Sequence, residues 1–138
     1  MIIQTQGIED ARDEVNPLLP PGIYPGEIIS SEFKLIDNAE SKYNGVYMLN
    51  YAVKAQGDEY AATAFGTIFM PNPDVMKQND IDRSLAQLKR LKIACGLELT
   101  EEVDDEEFMH CELQVEVSVK KGKGDYADSN TVRDVFPL

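Results

Sequence analysis

His110, the only histidine of the chain, stands next to Cys111, one of two cysteines, and such a pair is the raw material of a nucleophile and its base. Spacing argues against that use. From His110 to Lys120 the sequence HCELQVEVSVK alternates, with Cys111, Leu113, Val115, Val117 and Val119 on one side and polar residues on the other, which is the period of a half-buried strand. Neighbours on a strand point to opposite faces, so the imidazole and the thiol diverge. A single histidine also leaves nothing from which to build a Ser-His-Asp triad. Two cysteines with no CxxC and one histidine fall short of a four-ligand zinc site, and Cys95 and Cys111 read instead as small buried hydrophobes. There is no GxxxxGK[ST] phosphate loop. A metal-dependent hydrolase or nuclease would need its carboxylates brought together, whereas those at 98–107 follow one another as in a solvated linker. The expectation is a protein that is not an enzyme, with no cofactor and no bound metal.

Chemistry of a different kind is suggested where the alternating stretch ends. Lys120, Lys121 and Lys123 crowd around Gly122 and Gly124 and are followed by Tyr126, as expected for a hairpin tip that touches phosphates, or equally for a solvated turn that keeps the protein soluble. Aromatic residues beside lysines are what binding of a single nucleic-acid strand requires. A base stacks on a ring whatever its identity, and ammonium groups track the backbone. Other residues of this kind are Lys34, Lys42, Tyr43, Lys54 and Phe65. Tyr43 lies in a polar stretch with no apolar alternation to explain it, and Phe65 shares its strand face with Glu59, Ala61, Thr63 and Thr67. Tyr47 and Tyr51 share a face with Leu49 and Val53 and are expected in the core. Lys89, Arg90 and Lys92 are expected on a solvated helix face, outside any site.

Net charge sets the terms for this idea. At −12 over 138 residues the chain is not a basic nucleic-acid-binding domain. The acids are uneven, however, with runs at 9–14 and 98–107, so a local basic groove remains compatible with the total. The length suits one domain and one core. No apolar run approaches the ~20 residues that span a bilayer, and MIIQTQGIEDARDE lacks the basic and apolar regions of a signal peptide. A cytoplasmic protein is expected.

The elements that must position these residues follow from periodicity and turn chemistry. Residues 1–17 are expected to form a flexible acidic tail and 18–138 the folded domain. Ile23–Ile36 predicts a long first strand, unpaired at Pro25 and coiled near Gly26. Val46–Gln56 and Glu59–Met70 predict two strands joined at Gly57-Asp58, the second stopped by Pro71 and Pro73. From Asp80 to Cys95 the period becomes helical, with Ile81, Leu85, Leu88, Leu91 and Cys95 as its stripe, Asn79 or Asp80 as N-cap and Gly96 as C-cap. A fourth strand through 110–120 and a fifth over about 126–136 complete the order β-β-β-α-β-β. That order predicts a mainly β protein, a five-stranded Greek-key OB-fold barrel with one helix between strands three and four.

Leu19-Pro20-Pro21-Gly22-Ile23-Tyr24 opening the first strand, Lys34 near its end, Leu49 to Val53 with the Gly57 turn, Leu91-Lys92-Ile93-Ala94-Cys95-Gly96-Leu97 closing the helix, and Tyr126-Ala127-Asp128-Ser129-Asn130-Thr131-Val132 together resemble the phage-encoded OB-fold single-stranded DNA-binding proteins. The resemblance covers about residues 18–137 and lies in the order of the motifs more than in any one of them. It implies sequence-tolerant, cooperative or oligomeric coating of exposed single strands, protection from nucleases, and recruitment of replication or recombination proteins, with single-stranded DNA as the partner. One feature departs from it. Many proteins of this function finish in an acidic tail with a terminal aromatic residue, and this chain ends Arg133-Asp134-Val135-Phe136-Pro137-Leu138. The competing expectation is an OB-like protein-interaction module or virion component that uses a sheet edge and binds no nucleic acid.

Overall fold

A computed structural model describes residues 1–8 and 18–138. Of the expected tail, 9–17 lie outside the described residues. Residues 1–8 are exposed and contain neither helix nor strand. The domain consists of β1 (Gly22–Leu35), β2 (Tyr47–Gln56), β3 (Ala61–Phe69), α1 (Gln78–Ala94), a 3-10 turn (Asp105–Phe108), β4 (Glu112–Lys120) and β5 (Ser129–Phe136). The strands close into a barrel in the order β1-β2-β3-β5-β4, the OB-fold arrangement, with one helix after β3. All pairings are antiparallel except the short parallel one that aligns Ala64 with Asn130 and Phe65 with Thr131.

Closure depends on β1 serving two partners. Gly22–Glu27 lie in register with β4 and Gly26–Leu35 with β2. The exchange occurs at Gly26, where a Cβ would come within 2.6 Å of the Val53 side chain, so only glycine lets the two backbones approach. A register shift between Ile28 and Ser30 adds the bend. Pro25 sits opposite Gln114 within the β4 ladder; the strand is therefore not unpaired there.

Alternation fills the interior. Leu49, Tyr51, Val53 and Ala55 of β2 meet Leu113, Val115 and Val117 of β4, with Ile28, Ile68 and Phe108 between. Gly66 of β3 makes room for the Tyr51 ring, since a Cβ there would lie 2.4 Å from it. Helix α1 covers one end with Leu88, Leu91 and Ala94. It stops because Gly96 takes φ +70°, its N–H bonding to Ile93 O (3.0 Å) while Leu97 N–H reaches Lys92 O (2.9 Å), a Schellman closure. At the other end Lys77 occupies the N-cap with no side-chain cap bond, so neither Asn79 nor Asp80 caps.

Several expectations fail for tertiary reasons. Leu85 is exposed and Ser84 takes its place on the buried stripe. Tyr47 is 53% exposed, because it begins β2 at the rim, opposite Leu35, and only Tyr51 enters the core. Lys92 is 3% exposed rather than solvated. Its ammonium donates to Thr100 O (3.0 Å), Thr100 Oγ1 (3.1 Å) and Glu102 O, and lies 3.4 Å from Glu107 Oε1. That anchor organises the acidic stretch expected to be a linker. Asp104 and Glu107 form a reciprocal capping box, and Phe108 is fully buried, a contribution of roughly 1.5–3 kcal/mol. His110 has φ 63° and precedes β4 rather than belonging to it. Among the described residues no helix is long and apolar enough to cross a membrane.

Candidate nucleic-acid interface

The outer face of β2 and β3 is laid out in cross-strand pairs: Met48 with Phe69, Asn50 with Thr67, Ala52 with Phe65, and Lys54 with Thr63. Inward positions carry the core, so the alternation that buries Leu49, Tyr51 and Val53 projects Lys54 and Phe65 outward. Phe65 is 57% exposed in the middle of this face. Such a large ring, with no apolar neighbour opposite larger than Ala52, is available for stacking. Thr67 Oγ1 donates to Asn50 Oδ1 (2.9 Å), which fixes two polar groups beside it. Lys34 lies opposite Met48 on the neighbouring β1 and is exposed. Glu27 stands opposite Lys54 and Glu32 opposite Asn50, so the β1 margin is acidic and the cationic margins are the two loops.

One of those loops is the β4–β5 hairpin. Lys120 faces Ser129 across the last pair of the ladder, and β5 begins at Ser129 rather than near 126 because the loop closes on itself first. The Gly122 N–H donates to Asp128 Oδ1 (2.9 Å) and the Tyr126 N–H to Lys123 O (3.1 Å). A Cβ on Gly122 would stand 1.9 Å from Tyr126 O and 2.6 Å from Ala127 O. That packing leaves Tyr126 83% exposed and Lys120 and Lys123 exposed. The Lys121 ammonium lies 3.7 Å from Asp128 but remains in solvent, where such a pair holds weakly. The hairpin adjoins Phe65: a cavity of about 330 Å³ is lined by Leu18, Ala61, Thr63, Phe65, Asp128 and Ser129, among others.

The second loop, between β1 and β2, carries Lys42 and Tyr43. Tyr43 is not free in a polar loop as its sequence context implied. It is half-buried, its ring centroid is 4.9 Å from that of Phe69, and its hydroxyl donates to Asp80 Oδ2 (2.9 Å). The hydrogen bond to the Asp80 carboxylate, reinforced by partial burial, raises the phenol above its ordinary value. Lys42 lies 4.9 Å over the Tyr43 ring and is exposed.

The sequence-derived residues therefore form two groups on one face: Phe65 and Lys54 beside the hairpin with Lys120, Lys121, Lys123 and Tyr126, and Lys34 near the loop of Lys42 and Tyr43. The outer side of β3 joins them. Met48, Phe69 and Arg83 line a cleft with Lys42 and Tyr43, and of these sequence reasoning missed Met48 and Arg83. Alternation could have placed Met48 on this face, whereas only tertiary packing brings Arg83 to it. No protein-family model matches the chain, and no match is found among curated proteins.

Proposed function

We propose that this is a non-catalytic, sequence-tolerant single-stranded DNA-binding protein that coats and protects exposed strands in phage replication or recombination. The observation that carries the reading is Phe65, an exposed ring at the centre of the β2–β3 outer face, flanked by the lysine hairpin on one side and by Lys42 on the other. Stacking on such a ring contributes about 1–3 kcal/mol per base without reading its identity. Lysines on mobile stems supply phosphate contacts along the same path. The net charge of −12 confines attraction to this face, and the counterions that its lysines release from the phosphates make binding fall steeply with salt. Phe65→Ala should weaken oligonucleotide binding about 5- to 150-fold, the range set by one stacking contact, with unfolding free energy within about 0.5 kcal/mol of the parent because the ring is exposed. A Lys121→Glu, Lys123→Glu double variant should weaken binding to every sequence alike. Unchanged affinity in both variants would remove the face and the hairpin from the site.

The second reading, a protein-interaction module, is favoured by one feature. An apolar groove of about 650 Å³ lies between α1 and the 99–103 segment, lined by Met70, Pro71, Leu85, Leu88, Leu99 and Val103. Barrel closure argues against the sheet-edge form of this reading, since each strand is paired on both sides over at least part of its length. In that case Leu85→Arg would disrupt partner binding while the Phe65 variant would not.

A further inference from the structure

Beyond the flat stacking face, the cleft between the β1–β2 loop and α1 has the make-up of a nucleotide pocket. Its volume is about 690 Å³, several times that of a nucleobase. Met48, Phe69 and Tyr43 form an apolar wall, while Thr67, Ser84 and Gln87 add polar groups. Lys42 and Arg83 supply cations. Asp80 ties the two sides together: its Oδ2 accepts from the Tyr43 hydroxyl at 2.9 Å, and its Oδ1 lies 3.7 Å from Arg83 Nη1. The ring and the guanidinium are thereby placed before any ligand arrives, while Arg83 remains largely in solvent and free to meet a phosphate. Thr67 and Phe69 belong both to this cleft and to the outer face of β3, so a strand lying on Phe65 runs into it without leaving the protein surface.

We infer that this cleft takes one nucleotide of the bound strand, its base against Phe69 and Met48 and its phosphate between Lys42 and Arg83. The inference rests on the single-strand reading above and extends the path onto α1, which that reading leaves out. From Phe65 to Phe69 the β3 strand advances four residues, about 14 Å at roughly 3.4 Å per residue, so the cleft lies one or more nucleotides beyond the Phe65 stack. Polar groups from Gln87 and Ser84 would give this position the sole base preference in an otherwise tolerant site.

The test is photo-crosslinking of the full chain to a dT oligonucleotide carrying 5-iododeoxyuridine at successive positions, with the attached residues located by mass spectrometry. Attachment at Tyr43, Met48 or Phe69 from one position, and at Phe65 or Tyr126 from another, is the expected result. Attachment confined to Phe65 and Tyr126 would overturn the cleft alone. No attachment together with no binding would overturn the single-strand reading and the cleft with it. As a second readout, Arg83→Gln should flatten the dependence of log affinity on log salt by about 0.7, the loss of one phosphate contact to a single strand, while Arg83→Lys restores it. An unchanged slope in Arg83→Gln would contradict the role assigned to Arg83.

Discussion

The Asn130 carboxamide pairs with the Leu19 backbone as a neighbouring strand would: Oδ1 accepts from the Leu19 N–H at 2.9 Å, and Nδ2 donates to the Leu19 carbonyl at 3.0 Å. Both residues are almost wholly buried. This clasp seals the barrel where β5 emerges from the lysine hairpin, and the Tyr60 hydroxyl bonding to Leu18 O at 2.7 Å holds the same entry segment from the other side.

Removing the clasp should cost about 2–5 kcal/mol, because Asn130→Ala leaves two buried backbone groups unpaired. Urea unfolding reads this directly. Asn130→Asp keeps the acceptor but loses the donor and buries a carboxyl, whose protonated form is favoured in the folded state. The folded-state value then lies above the unfolded one. Stability of N130D should therefore be greatest in acid and fall as pH rises above about 4. A pH-independent loss would contradict the assigned geometry.

Lys92 supplies a second, electrostatic clasp. Lys92→Ala deprives Glu107 and the carbonyls of Thr100 and Glu102 of their buried donor, a loss of about 3–5 kcal/mol by the measure of broken buried pairs. Lys92→Met, which refills the stem volume, should recover part of it. Cleavage by a glutamate-specific protease within 98–107 should accelerate in both variants, and a cleavage rate equal to the parent's would show that the segment does not depend on Lys92.

Gly122→Ala tests whether the hairpin shape, and not its charge alone, matters. The added Cβ meets backbone oxygen atoms that cannot move independently, so the loop must open and redirect Lys121, Lys123 and Tyr126. Affinity for oligo-dT should fall about tenfold, on the scale of one lost stacking contact, with the thermal midpoint nearly unchanged because the tip is exposed. A parent-like affinity would mean the loop merely solubilises the protein.

Tyr43 should ionise later than a free tyrosine in an ultraviolet pH titration, since the Asp80 carboxylate accepts a hydrogen bond from the neutral phenol and opposes a second negative charge. The folded value lies above the unfolded one, so the stabilisation is complete below about pH 10 and is lost as pH rises through the folded-state value. Tyr43→Phe should abolish that alkaline loss. Its persistence would assign the loss to another group.

Strand alternation made the barrel legible: Leu113, Val115 and Val117 on one side of β4, and Leu49, Tyr51 and Val53 on one side of β2, are enough to fix which residues face in. Phe65 was legible for the same reason, being a ring on the polar side of an alternating strand. What escaped depends on contacts between distant segments. Lys92 looks solvated until Thr100, Glu102 and Glu107 are folded over it. Tyr43 lies in a polar loop, and only α1 supplies Asp80 to hold it. Tyr47 obeys the alternation of β2 but stands at the rim, where the core has ended. Arg83 has no local signal at all, because its relation to the β1–β2 loop exists only once α1 is docked.

The most direct measurement is fluorescence anisotropy of the full chain with a labelled oligo-dT of about 30 nucleotides and with its duplex, titrated at two salt concentrations. Single-strand binding should be tight at low salt and much poorer for duplex. The slope of log affinity against log salt should approach about −4 if Lys34, Lys42, Lys54, Lys120, Lys121 and Lys123 all engage phosphates. No binding at low salt, or equal affinity for duplex, would contradict the account and turn attention to the apolar groove beside α1.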